Sequence, residues 1–199
     1  MSGLQVETCV SPTRLLGLVP DPGLSMFRPP AAQHEALLEL AADPRCCVSI
    51  AAEGSALLGY VTFHPPSAIE SWGEDATGQL IELGAIEVPP SARGQKVAQR
   101  LLEASFGTGR FDATIVFATM YVWHYDLGRT GLSDFAYRRM LERLYGGAGL
   151  RQVGTTDEEL RASPANLLMA RVGPDCPGHV SDEFDRLRLR GQTRRKDQA

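Results

Sequence analysis

The sequence predicts an α+β protein built on one mixed β-sheet, and three patterns in the chain carry that prediction. Two short β-prone runs flank a Glu-Gly-Ser turn at 53–55, which is typical of a hairpin. Two apolar runs in the middle of the chain are each followed by an amphipathic helix, and two short strands follow. The predicted strands are 4–10, 46–52, 57–64, 79–88, 113–122, 150–154 and 166–172; the predicted helices are 11–18, 31–42, 97–106 and 132–145, with a helical turn at 157–162.

The first two helices have recognisable ends. Ser11 is a preferred helix cap and Pro12 is tolerated at the first helical position. Between 31 and 42 the apolar residues recur at helical spacing, and Asp43-Pro44 ends that helix. The stretch 19–30 is rich in Pro and Gly, so it is predicted to be a loop.

The later elements are separated by turn residues. A loop at 65–78 carries Trp72, and Pro89-Pro90 stops the strand that follows it. A polar and aromatic loop is predicted at 123–130, after the second central strand. The last long helix is predicted to end at Gly146-Gly147, since Gly commonly follows a helix.

Composition limits the possible functions. The chain has 199 residues, of which 43% are hydrophobic, which suits one globular domain at 1–173 followed by a basic polar tail at 174–199. We expect the tail from Ser181 to be disordered, with a partner-docking helix as the alternative.

A net charge of −4 disfavours a nucleic-acid binder. No apolar run reaches the roughly 18 residues that span a bilayer, and no signal peptide is seen, so we expect a cytoplasmic protein.

The four cysteines give no sign of a metal site. They are Cys9, Cys46, Cys47 and Cys176, and no CxxC pair occurs among them. The sequence therefore indicates neither a zinc site nor a disulfide framework, and we expect no metal.

The turn after Pro90 has the features of a phosphate site. A buried strand runs directly into a short polar turn and then into a helix, whose first N–H groups lack partners within the helix. Gly94 lets the backbone approach a ligand closely, and Arg93 and Lys96 add positive charge. The sequence therefore predicts that this turn holds a pyrophosphate.

The segment from Arg93 to Ala98 resembles the R/Q-x-x-G-x-G/A loop of the Gcn5-related N-acetyltransferases, the GNAT superfamily. The resemblance implies acetyl-CoA as co-substrate and a mixed sheet of about six to seven strands, splayed at the acetyl-CoA site and flanked by about four helices. Lys96 stands where the family usually has a second Gly, and a lysine is tolerable there if the local φ stays negative. The implied cofactor contacts are Ile86, Val88, Arg93, Gly94, Gln95, Lys96, Val97 and Ala98.

Proton transfer in such an enzyme needs a base for the amine and an acid for the leaving thiolate. Glu82 and Glu87 lie on the strand before the turn, and period-two alternation places them on opposite faces, so they compete as the base. The spacing of Glu82 from Arg93 resembles that of the base in the protein-lysine branch of the family. The segment around Tyr145 is similar to the family's L-Y-x-x-x-G-F, which implies Tyr145 as the acid, with Tyr137 or a purely packing role as alternatives.

Other segments resemble a subgroup of the family, the bacterial acetoin-utilisation acetyltransferases. They include 59–66, 72–74, 82–88, 123–127 and 163–166. That subgroup is understood to acetylate a lysine of acetyl-CoA synthetase, so the implied partner is that enzyme or another protein lysine. Loop residues Trp123, His124 and Asp126 are then candidates to grip the lysine, by stacking and charge.

Simpler interpretations of the same residues remain open. Trp123 is alternatively a packing anchor, His124 a structural residue and His64 a turn residue. A small-molecule amine N-acetyltransferase and a non-catalytic CoA-binding sensor are the alternative functions. We expect a monomer or homodimer that binds neither nucleic acid nor membrane.

Overall fold

The computed structural model describes residues 3–190, and they form the predicted α+β fold on one mixed sheet. Within this range the sheet has eight strands in the order β1-β3-β4-β5-β6-β8-β7, with β2 paired to β4, and there are seven α-helices. The strands are β1 Gln5–Glu7, β2 Val19–Pro20, β3 Cys47–Glu53, β4 Ala56–His64, β5 Leu80–Glu87, β6 Ile115–Met120, β7 Arg151–Gln152 and β8 Leu167–Val172. The helices are α1 Pro12–Leu16, α2 Pro30–Ala42, α3 Val97–Phe106, α4 Leu127–Thr130, α5 Asp134–Gly147, α6 Glu158–Arg161 and α7 Gly178–Arg188.

The element count exceeds the prediction of about four helices and six to seven strands. The added strand, β2, lies in the stretch predicted to be a loop, where two residues pair in parallel with Ala56 and Leu57. The predicted loop at 123–130 contains a 3-10 turn, Val122–His124, and the short helix α4. Pairs and turns this short leave almost no periodic pattern in a sequence.

The chain divides into two compact units, which share strand β5 because the division falls between Glu82 and Leu83. The first unit contains the described residues up to His64 together with Leu83–Arg110. Its centre is the antiparallel hairpin of β3 and β4, which turns at Gly54 with φ of +60°. Helices α1 and α2 supply apolar residues to its core, which includes Leu15, Leu37, Ile50, Leu57 and Tyr60.

Cys9 and Cys47 form a disulfide in this unit, with Cα atoms 4.5 Å apart, so the expectation of no disulfide was wrong. The pair is 38 residues apart in the sequence. Strands β1 and β3 pair antiparallel, and Val10 N–H then donates to the carbonyl of Val48 at 2.9 Å. This ladder brings the two cysteines together, and their spacing in the sequence gives no sign of it.

The second unit contains Pro65–Glu82 and the described residues from Phe111 onward. Strands β6 and β8 pair antiparallel over six residue pairs, and β7 extends the sheet beside β8. The core is aromatic: the ring of Trp72 lies 4.5 Å from that of Phe117 and 5.5 Å from that of Phe184, between ring centroids. The loop predicted to carry Trp72 therefore contributes to a core.

Helix α7 corrects the prediction of a disordered tail. Gly178–Arg188 is helical, and Val180, Phe184 and Leu187 are buried in the same core as Trp72. The apolar residues recur at helical spacing between arginines and acidic residues, so only one face is apolar. Residues 191–199, the rest of the expected tail, lie outside the described part of the chain.

Helix α5 also differs from its prediction, because it continues through Gly146 and Gly147. Helix α3 has the predicted bounds, and Ser11 caps α1 by accepting a hydrogen bond from Arg14 N–H at 3.3 Å.

Between residues 3 and 190 no helix has the length and apolar character needed to cross a bilayer.

Candidate functional site

The turn between β5 and α3 is an exposed loop that presents backbone to solvent. Residues 93–96 are all exposed, and a 3-10 turn, Pro90–Ala92, precedes them. Gly94 has φ of +80°, and Lys96, the residue that caps α3, makes no side-chain hydrogen bond to the helix. The side chain of the cap residue therefore does not occupy the first N–H groups of α3, and the partial positive charge of the helix start faces an exposed loop. Arg93 and Lys96 add full charges.

Lys96 has φ of +56° and ψ of 26°, so the condition of a negative φ is not met. The backbone takes the left-handed conformation that Gly would adopt most easily. For a residue with a Cβ this conformation costs about 1–2 kcal/mol. The sequence therefore places a lysine at a strained position of the loop, directly before the first residue of α3.

Buried neighbours hold the loop in place on both sides. Ala92 and Val97, which flank it, are each only 2% exposed. A Cβ added to Gly59 on β4 would lie 3.2 Å from both the Glu87 carbonyl oxygen and a Val97 methyl, so glycine permits close packing there. Ser91 Oγ also donates to a carboxylate oxygen of Asp21 at 3.1 Å.

Strand β5 leads into this loop, and its ladder with β6 covers Leu80, Ile81 and Glu82. Both strands continue beyond these pairs, β5 to Glu87 and β6 to Met120. Leu83–Glu87 is thus the part of β5 outside that ladder. Ile86 lies in this part and Val88 directly after it, and both are half-buried.

The two candidate bases have different surroundings. Glu82 is half-buried, and Oε1 of its carboxylate accepts a hydrogen bond from Thr119 Oγ1 at 3.3 Å. Glu87 is 5% exposed, and both of its oxygens are used: Met26 N–H donates to one and the Tyr60 hydroxyl to the other, each at 2.7 Å. Glu87 therefore has a structural role, since it joins the end of β5 to β4 and to the segment before α2.

Tyr145 is buried on α5, and burial, followed by the neighbouring phenols of Tyr137 and Tyr125, raises its pKa. It therefore carries its proton at neutral pH, as a general acid must. The rings of Tyr125 and Tyr137 stack with centroids 4.6 Å apart, and the Tyr125 hydroxyl donates to the Ala165 carbonyl at 2.7 Å. Tyr137, the alternative acid, thus stacks on Tyr125, and both phenols act electrostatically on Tyr145.

The three candidate lysine-gripping residues lie in and just after the 3-10 turn that follows β6. The Trp123 ring stacks on Tyr121 with centroids 4.5 Å apart and is still 54% exposed. His124 is exposed and lies edge-on to both rings at 6.0 Å. Asp126 forms an ion pair with Arg129 at 3.1 Å, so its charge is partly compensated.

Sequence reasoning missed a cavity of about 610 Å³ in the first unit. His64 and Gly84 both line it, and a Cβ placed on Gly84 would collide with Nε2 of His64. An isolated glycine within an apolar strand indicates a close approach to the backbone, and Gly84 is such a residue. That signal was present, although it does not identify the approaching residue.

No three His, Cys, Asp or Glu side chains between residues 3 and 190 gather as a metal site.

Comparisons with known proteins agree on one family. A sequence model described as the acetyltransferase (GNAT) family matches residues 19–116. The chain is similar to the acetoin utilization protein AcuA of Bacillus subtilis (strain 168), with 40% identity over 94% of this chain and 89% of that protein. It is also similar to the crystal structure of an acetoin utilization protein from Exiguobacterium sibiricum 255-15, with 40% identity, a TM-score of 0.92, and coverage of 96% and 90% of the two chains.

A more distant solved structure has the same fold. It is a putative acetyltransferase from Salmonella typhimurium with its cofactor acetyl-CoA, with 13% identity and a TM-score of 0.50. The match covers 88% of this chain and 96% of that one. The fold implied by the sequence resemblance is thereby confirmed.

Proposed function

The chain belongs to the acetyltransferase (GNAT) family, and on that premise we propose that it acetylates a lysine of acetyl-CoA synthetase, with acetyl-CoA as the acetyl donor. The proposed reaction controls acetate and acetoin metabolism. The observation that carries the acetyl-CoA part is the exposed loop 93–96 before helix α3, whose cap residue Lys96 makes no side-chain hydrogen bond to the helix.

The diphosphate of acetyl-CoA binds this loop in our proposal. A diphosphate carries more than one negative charge. The N–H groups at the helix start and the cations of Arg93 and Lys96 together match it better than one cation alone would. Gly94 supports close approach, since the space where its Cβ would lie is open. The contacts proposed are Arg93, Gly94, Gln95, Lys96, Val97 and Ala98.

The pantetheine arm and thioester follow strand β5 in the same proposal. Leu83–Glu87 lies outside the ladder with β6, and backbone N–H groups of such a segment can bind an acyl chain. Ile86 and Val88 are the donors proposed, and one of them polarises the thioester carbonyl. We assign Glu82 as the base and Tyr145 as the acid for the thiolate.

The acceptor part of the proposal is supported by the relatives, which are named for acetoin utilization. The exposed face of Trp123, with His124 and Asp126 near it in the sequence, offers stacking and charge to a protein lysine. A small-molecule amine is the second candidate, because a cavity of about 610 Å³ falls in the roughly 300–1,000 Å³ range of small-ligand sites.

We also propose that the two units act as one acetyltransferase domain. The family match spans residues 19–116 and so includes sequence from both units. We place the protein in the cytoplasm, where the acetyl-CoA that the reaction consumes is formed.

The decisive experiment mixes the protein with radiolabelled acetyl-CoA and purified acetyl-CoA synthetase, and maps acetylated lysines by mass spectrometry. We expect one dominant lysine, and a matching loss of synthetase activity. A panel of polyamines and amino acids is assayed in parallel. Labelling of a small amine without labelling of the synthetase would favour the second candidate; binding without any transfer would favour a sensor.

A further inference from the structure

The cavity in the first unit lies between helix α2, the end of β4 and the middle of β5. Its wall contains Gly84 and Ala85 from the strand that leads into the loop 93–96. We propose that this cavity admits the aliphatic amine of either candidate acceptor, a lysine side chain or a small molecule, and that His64 is a further catalytic residue, taking the first proton from the ammonium group. The inference rests on the proposed acetyl transfer and extends it to a named proton acceptor.

Glycine at position 84 is what allows His64 to reach the strand. A side chain there would collide with Nε2 of the imidazole, so the ring occupies the space of the missing Cβ. Gly84 is exposed and His64 is half-buried, so solvent or a ligand can reach the place where they meet. His64 is the last residue of β4, which fixes its backbone on a rigid strand.

The lining of the cavity suits an aliphatic amine. Phe27, Ala36 and Leu40 supply apolar surface for a methylene chain. Glu39 and Asp43 supply carboxylates that attract an ammonium group, although the guanidinium of Arg45 pairs with Asp43 at 2.6 Å. A lysine side chain combines the same two parts, four methylenes and one cation.

The other ionisable groups of the cavity are poor proton acceptors for this step. Arg28 is always charged. Burial, and then the charge of Asp43, raises the pKa of the Cys46 thiol, so this thiol stays protonated at neutral pH. A carboxylate is a weaker base than an imidazole, so His64 is the better proton acceptor among these side chains.

Acetyl transfer to an ammonium group releases two protons from nitrogen, which calls for two acceptors. His64 takes the first, directly or through one water, and frees the lone pair. The nitrogen then attacks the thioester carbonyl, the C–N bond forms, and Glu82 takes the second proton. The C–S bond breaks and the thiolate takes a proton from Tyr145. Of the two protons that the nitrogen released, one returns to Tyr145 and the other passes to solvent.

The test compares H64A and H64Q with wild type, using acetyl-CoA and acetyl-CoA synthetase. We expect kcat to fall about 100-fold in both variants, within the range of about 10²–10⁴ for general acid–base groups. We expect acetyl-CoA affinity, measured by calorimetry, to be unchanged. Millimolar imidazole should restore activity to H64A, because the deleted ring leaves a space, and not to H64Q. The exposed His179 on α7 gives the matched control, H179Q, which should behave as wild type.

A second route to the same site is G84A, whose Cβ would displace the imidazole. We expect a comparable loss of kcat that imidazole does not relieve. An unchanged kcat in H64A and H64Q, or a loss in H64A that imidazole does not relieve, would overturn the role of His64. If wild type itself acetylates no amine, the proposed function fails instead, so the two failures are distinguishable.

Discussion

The hydroxyl of Tyr60 on β4 donates a 2.7 Å hydrogen bond to the carboxylate of Glu87, the last residue of β5. Tyr60 is fully buried and Glu87 nearly so. Burial, and then the charge of Glu87, raises the pKa of Tyr60, which therefore stays a hydrogen-bond donor at any ordinary pH. With the Met26 N–H, this bond fixes the end of the strand immediately before the candidate phosphate loop.

Replacing Tyr60 with Phe should destabilise the fold without affecting chemistry directly. Hydrogen bonds to charged groups contribute about 1.5–3 kcal/mol, so we expect Y60F to lower the free energy of unfolding by about 2 kcal/mol. Urea denaturation measures this. Y125F is the matched control: its hydroxyl donates to a neutral carbonyl, so the loss should be about 1 kcal/mol. Equal losses would mean that the Glu87 charge adds nothing.

Substitutions of Glu82 and Glu87 should have different effects on kcat and on stability. We expect E82Q to lower kcat by about 10²–10³-fold with unchanged acetyl-CoA affinity, because it removes the proposed base but no cofactor contact. E87Q should mainly lower stability, since Glu87 is buried between two donors. Steady-state kinetics with calorimetry and urea denaturation of both variants decide this. A larger kcat loss in E87Q, at retained stability, would reverse the assignment.

Substitutions of Lys96 separate the effect of its positive charge on acetyl-CoA affinity from the effect of backbone strain on stability. Both K96A and K96G remove a proposed phosphate contact, so we expect each to weaken acetyl-CoA binding about 5–20-fold, or roughly 1–2 kcal/mol. Only K96G also relieves the left-handed strain, so it should be about 1 kcal/mol more stable than K96A. Calorimetry and thermal unfolding measure the two effects separately. Equal stability of the variants would contradict a positive φ at this position.

The disulfide should contribute substantially to stability. Closing a loop between cysteines 38 residues apart is worth about 2–4 kcal/mol in the chain-entropy model. We expect C9S to lose that amount in urea denaturation. Dithiothreitol should lower wild type to the level of C9S and leave C9S itself unchanged. Wild type that does not respond to the reductant would show that the bridge is not formed in solution.

Helix α7 should make stability depend on pH in the acid range. The hydrogen bond from Arg186, and then that from Ala76 N–H, lowers the pKa of Glu183 from 4.5 to about 2. A lowered folded-state pKa stabilises the fold above the unfolded value, and this contribution is lost as the pH falls from about 4.5 towards 2. E183Q should therefore have a lower Tm at pH 7 and a smaller fall in Tm over that window. The exposed Glu35 gives the control variant, E35Q, whose profile should follow wild type.

Local patterns in the sequence identified the elements that surround the candidate phosphate loop. Helix α3 was predictable because its apolar residues repeat at helical spacing and Pro89-Pro90 marks the preceding stop. The positive φ of Lys96 was not predictable, since nothing in the sequence states which backbone conformation a loop adopts. The partners of Glu87 lie 27 and 61 residues away in the sequence, so only the folded chain reveals them.

The packing of α7 has a practical consequence for anyone who shortens this chain. A fragment that ends after strand β8 would match the catalytic region suggested by sequence alone, yet it would uncover Trp72 and Phe117. An exposed hydrophobic surface of aromatic side chains promotes self-association, so such a fragment should accumulate in inclusion bodies. Expression and crystallisation trials should therefore keep every residue through Arg190, whose guanidinium reaches back to the carboxylate of Glu74 at 2.7 Å.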